Sequence, residues 1–183
     1  MARSARVARG FTLTELMITL AIAGILAMIG APAMGGLLAR TENAGIESSI
    51  AQGLRSARTT AVMHNARVLV CPSPNGRQCG SGADWQHGWI IAQDADHDGQ
   101  PDAGKPILDV QTAMPAGTRV ITSAGRRRID FQPSGSAGGS NVTFTICHVH
   151  EHGGRAVIVA NSGRVRVARA DAVHLQACLA AIP

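Results

Sequence analysis

Four groups of residues in this chain have types and spacings that could do chemistry. The first is Gly163-Arg164-Val165-Arg166, in which two guanidiniums two residues apart would leave one face of a strand while Val165 and Val167 leave the other. Each guanidinium is a planar fork of donors, so the pair suits phosphate, although arginines also guard exposed sheet edges against aggregation. The second group, Asp94, Asp96, Asp98, Gly99 and Asp102, has the alternating carboxylates with which a calcium loop begins. Its twelfth position is Lys105 where a bidentate acid belongs, so a polar hairpin connection is expected and no metal is assigned. The third, His148, His150 and His152, would share one strand face and could hold a transition metal, but beside Gly153-Gly154 the trio reads as exposed residues at a turn. The fourth is a set of four cysteines, for which three pairings are open. Proximity favours Cys71 with Cys79 around Pro72-Ser73-Pro74-Asn75-Gly76, leaving Cys147 for Cys178; the spacings lack the close pairs of a structural zinc site. Ser, His and Asp are plentiful, yet none sits in a nucleophile elbow, phosphate loop or metalloprotease helix, so neither enzymatic activity nor a cofactor is expected.

The elements that must position these groups follow from hydrophobic patterning. Among 183 residues there is room for one core and an appendage. From Thr41 to Asn65 the apolar residues Ala44, Ile46, Ile50, Leu54, Ala57, Ala61 and Val62 recur mostly three or four apart, which predicts an amphipathic helix with Glu42, Glu47, Arg55 and Arg58 on or beside its wet side. Short β-rich runs then alternate with turns at Val68–Cys71, Trp89–Ala92, Ile107–Val110, Arg119–Thr122, Ile129–Phe131, Val142–Cys147, Ala156–Val159 and Val165–Ala168. A helix followed by antiparallel strands is an α+β fold. The Gly- and Ser-rich stretch Ser134 to Ser140 reads as a flexible loop, too near the end of the sequence to link a second core.

Ahead of these elements, the stretch from Leu16 to Ala31 holds no charged residue, and extended back to Phe11 it reaches about the twenty residues that cross a bilayer as a helix. Arg3, Arg6 and Arg9 precede it without an acid, which predicts a cytoplasmic N-terminus and an outward-facing C-terminal domain. Ala31-Pro32-Ala33 would serve as the cleavage site of an ordinary signal peptide. Glu15 argues against that, because a carboxylate at the start of an apolar run is expensive in lipid and marks a paired, functional group.

Arg9-Gly10-Phe11-Thr12-Leu13-Thr14-Glu15-Leu16 resembles the processing site of type IV prepilins and pseudopilins. The resemblance implies cleavage after Gly10 by a prepilin peptidase, N-methylation of Phe11, and a retained helix in which Glu15 meets the N-terminal amine of a neighbouring pilin. It divides the chain into a leader (1–10), a transmembrane and assembly helix (11–38) and a periplasmic globular domain (39–183) carried into an extracellular pilus from the inner membrane. Pro32 would then loosen the helix, and Gly24, Gly30, Gly35 and Gly36 allow close packing against other major and minor pilins. The expected fold is pilin-like: a long N-terminal helix, part transmembrane and part amphipathic, on an antiparallel sheet.

Farther along, Cys71-Pro72-Ser73, Cys79, Trp85, Gly88-Trp89-Ile90-Ile91 and Phe131-Gln132-Pro133-Ser134-Gly135 are similar to the FimT/GspH branch of minor pilins, which includes pilins of type IV pili and pseudopilins of type II secretion. Within it, Gly163-Arg164-Val165-Arg166 resembles the GRxR motif of FimT proteins that bind DNA in natural transformation. That implies a double-stranded DNA partner; the alternative is a GspH-like pseudopilin with a structural role. Charge is segregated accordingly, with five basic and eight acidic residues over 41–118 but eight basic and three acidic over 119–183. Arg126, Arg127, Arg128, Arg155 and Arg169 are candidates to widen the patch. With three Phe, two Trp and no Tyr the chain lacks a base-stacking platform, so contact through phosphates, independent of sequence and weakened by salt, is the expected mode.

Overall fold

A computed structural model describes residues 11–123, 126–139, 141–151 and 153–182, without the side chains of 29–33. The leader with Gly10, together with Ser140 and His152, lies outside the described residues, as does the side chain of Pro32. One helix, α1 (Leu13–Met63), opens the chain. Two compact units divide it, residues 1–38 and 39–183. In the first, large apolar side chains including Phe11, Leu16, Ile25 and Met34 are exposed. Among the described residues no helix is long and apolar enough to cross a membrane; the apolar run expected to do so includes residues 29–33, whose side chains are not described.

The second unit carries two four-stranded antiparallel sheets. One is built from β1 (Val68–Pro72), β2 (Trp89–Gln93), β3 (Asp109–Gln111) and β5 (Ile129–Phe131) in the order β3-β2-β1-β5. The other uses β4 (Thr118–Thr122), β6 (Val142–His148), β7 (Arg155–Val159) and β8 (Val165–Arg169) in the order β4-β6-β7-β8. The stripe Ile50, Ala51, Leu54, Ala57 and Ala61 of α1 is buried in one core with Val70, Trp85, Trp89, Phe131, Phe144, Val157 and Val159, so the helical period and the strand alternation meet in a shared apolar layer. Gly53 makes room for it: a Cβ there would lie 2.1 Å from the Trp89 ring. Every residue of this core, and both disulfides, lie at or beyond position 46, so the second unit holds its own fold.

This is the expected α+β, pilin-like architecture with four differences. The third strand runs Asp109–Gln111 instead of Ile107–Val110: Leu108 gives one bond to the Ile91 carbonyl, and Ile107 packs on a small cluster around Leu69 and Ile90. A C-terminal helix, α2 (Ala172–Ala180), was not expected; Asp171 caps it by accepting from the His174 N–H, a signal present in the sequence. Glu47 is buried rather than on the wet side, because its carboxylate accepts from Arg155 at 2.8 Å, and Arg58 is half-buried. The stretch after Phe131 is held instead of loose, with bonds from Gln132 to Ser136, Gly138 to Asp130 and Ala137 to Asn161.

Candidate functional site

The arginine pair begins on a tight connection between β7 and β8. The Gly163 N–H donates to the Ala160 carbonyl (2.8 Å) and the Ala160 N–H to the Arg164 carbonyl (2.9 Å), closing a three-residue hairpin loop that ends in a left-handed residue. Gly163 is that residue, with φ +76°. It is buried, and a Cβ on it would lie 1.9 Å from the Gly135 carbonyl oxygen. The same oxygen accepts from Arg58 Nε of α1 at 2.9 Å. The loop after Phe131, the helix and the hairpin turn therefore meet at one carbonyl, on which Gly163 is seated.

Arg164 and Arg166 stand beyond this seat. Register pairs Val165 with Val159, Arg166 with Ile158 and Arg169 with Arg155. Val157 and Val159 belong to the core, so Val165, Val167 and Arg169 share the core-side face and Arg166 the opposite one, with Arg164 in step with Arg166. Both arginines are exposed, and among the described residues neither has an acidic partner. β8 is the last strand of its sheet, so nothing in the sheet covers its outer edge. On the core-side face Val165 packs on the core, while Val167 is 49% exposed.

The widening residues divide. Arg155 and Arg169 are on the face opposite Arg166, and Arg155 is held by Glu47. Arg126 gives its carbonyl to Trp85 Nε1 and Thr122 Oγ1, Arg127 is exposed, and Arg128 pairs with Asp130 at 3.3 Å while lying over Gly99. Arg128 is thereby tied to the sheet that does not contain β8.

Of the candidate metal ligands, Asp94, Asp96 and Asp102 bring a carboxylate oxygen each within 4.8 Å of one another, and Asp98 is not among them. Asp94 is buried, and that burial holds its pKa above the ordinary carboxylate value, against the bond it accepts from the Gly99 N–H and with like charges at Asp130 and Asp98 adding to the rise. Asp102 Oδ1 accepts from the Ala95 N–H and Asp98 Oδ1 from Gln100, so the carboxylates knit the connection together. His148 and His150 do not share a strand face. β6 ends at His148, which is buried with Nδ1 accepting from the His150 N–H and Nε2 3.6 Å from Glu42, while His150 is exposed in the turn.

Disulfides join Cys71 to Cys79 and Cys147 to Cys178, the second tying α2 to β6. At the other end of the chain, Thr12 Oγ1 accepts from the Glu15 N–H at 3.3 Å, so Thr12-Leu13-Thr14-Glu15 caps α1 and Glu15 lies in its first turn, where an acid suits the helix dipole. That capping role is legible in the Thr-x-x-Glu spacing.

Residues 48–163 match the family model for type II transport protein GspH, and residues 5–31 match the prokaryotic N-terminal methylation motif. No curated protein matches the chain. Among solved structures, a crystal form of the type IV minor pilin FimU of Pseudomonas aeruginosa is similar with a TM-score of 0.57 at 20% identity, over 70% of this chain and 90% of that one. A second FimU form gives 0.53 at 18%, over 67% and 89%. The minor pseudopilin EpsH of the Vibrio cholerae type II secretion system gives 0.51 at 15%, over 70% of this chain and 97% of that one.

Proposed function

The chain belongs to the GspH family of minor pilins and pseudopilins, and from that premise we propose that it is a minor type IV pilin that binds extracellular duplex DNA for uptake in natural transformation. In this reading a prepilin peptidase cuts after Gly10 and Phe11 is N-methylated. Residues 11–38 hold the protein in the inner membrane, with the domain of residues 39–183 in the periplasm, until it joins other pilins. Glu15 then meets the N-terminal amine of a neighbouring subunit, which removes the penalty of an isolated carboxylate in an apolar surround.

One observation carries the DNA reading: Arg164 and Arg166 are exposed, without acidic partners among the described residues, on an open sheet edge and behind a turn held at Gly163. Guanidiniums fixed at their base and free at their tips can reach successive phosphates without reading bases. The test is duplex-DNA binding by residues 39–183 at two salt concentrations, beside R164A/R166A. Salt-sensitive binding that the double variant loses with its melting temperature unchanged is expected; binding retained in full by the variant sinks the site.

A second reading is favoured by the likeness to EpsH and by the GspH family model: a pseudopilin that primes or caps a secretion pseudopilus and has no ligand beyond its neighbours. Deleting the gene separates the two. Loss of transformation with secretion intact supports the first, and loss of secretion alone the second.

A further inference from the structure

The face of β8 away from Arg166 opens on a cleft of about 430 Å³ lined by Arg40, Glu151, Gly153, Gly154, Arg155 and Arg169. Three guanidiniums border it. Arg155 donates to Glu47, and the Glu151 carboxylate accepts from Asn43 Nδ2. Arg40 and Arg169 have no acidic partner among the described residues. Arg169 also lies directly across the strand pair from Arg155, an arrangement of like charges that is unfavourable unless an anion lies between them. Glu47 supplies a carboxylate to Arg155, and Arg169 is left without one among the described residues.

We propose that this cleft binds the phosphate of an anionic phospholipid headgroup. The guanidinium fork matches phosphate geometry, and a cleft of this volume takes a glycerophosphate and not merely a bare ion. Arg40 stands two residues after the first unit, in which large apolar side chains including Phe11, Leu16, Ile25 and Met34 are exposed. A basic side chain just beyond such a segment sits at headgroup depth, where long cationic side chains settle. This source rests on the reading that residues 11–38 enter the membrane; the cleft itself does not.

The test uses residues 39–183 with 15N-labelled arginine, following the Nε–Hε signals during titration with dihexanoyl phosphatidylglycerol. Signals of Arg40, Arg155 and Arg169 should move while those of Arg164 and Arg166 stay, and R40A/R169A should cut the Arg155 shift several-fold with its melting temperature unchanged. Equal movement with dihexanoyl phosphatidylcholine, with inorganic phosphate, or of Arg164 and Arg166 overturns the headgroup assignment, as does no movement at all. Larger movement with duplex DNA overturns it in favour of a nucleic-acid surface. Separately, the full chain is reconstituted into neutral phosphatidylcholine nanodiscs. Failure to insert there, with the headgroup shifts intact, removes the membrane reading and leaves the cleft.

Discussion

Gly163 is the residue on which the geometry of the arginine pair depends. At φ +76° an L side chain is strained, and here its first carbon would also meet the Gly135 carbonyl at 1.9 Å. G163A should therefore lower the domain's stability by about 1–3 kcal/mol, read as a shifted denaturation midpoint. The folded fraction should also bind DNA more weakly although both arginines remain. A midpoint unchanged from that of the parent would mean the turn is not seated on Gly135. Asp94 makes a different kind of prediction. Burial raises its carboxyl pKa in the folded state, so folding binds an extra proton and is most favoured where that carboxyl is protonated. The benefit is lost as pH rises through the folded value. D94N, which cannot ionise, should accordingly be more stable than the parent at about pH 7, the gap closing toward about pH 4. Thermal melts across that range check it, and a constant gap would show that lost hydrogen bonds dominate.

At the scale of elements, the disulfide between Cys147 and Cys178 spans 31 residues and is the covalent link between α2 and β6. Loop-closure entropy over such a span corresponds to about 3–4 kcal/mol, against less for the eight-residue span of Cys71 and Cys79. C147S/C178S should lose more stability than C71S/C79S under chemical denaturation, and the reverse order would show strain or packing outweighing loop length. Much of this layer was legible beforehand, because burial dictates the Ile50–Leu54–Ala57–Ala61 stripe on one helix face and the short apolar runs at β1, β2, β6 and β7, of which β1 is buried on both faces. What periodicity did not reveal was α2, a helix of nine residues with one buried side chain, whose cue is the single cap Asp171. Nor could it place Arg169: alternation within β8 separates Arg169 from Arg166, but only the pairing with β7 says which face is the core. The seat under Gly163 was illegible for a related reason, since Gly135 and Arg58 reach it from elements distant in sequence.

At the scale of the molecule, charge is divided along the chain and again across the last strand. Residues 119–183 carry eight basic against three acidic groups, yet the structure occupies several of the eight: Arg119 with Asp84, Arg128 with Asp130 and Arg155 with Glu47. Of the rest, Arg166 lies on one face of β8, with Arg164 just before the strand in step with it, and Arg169 lies on the other. A duplex held only through phosphates releases one condensed counterion for each phosphate neutralised, so the dependence of log affinity on log salt counts the arginines engaged. If Arg164 and Arg166 each take one phosphate, R164A/R166A should flatten that slope by about 2. R169A, on the other face, should leave the slope unchanged. A slope that R169A flattens as much as the double variant would instead mean that DNA wraps the strand edge, joining both faces of the sheet into a single surface.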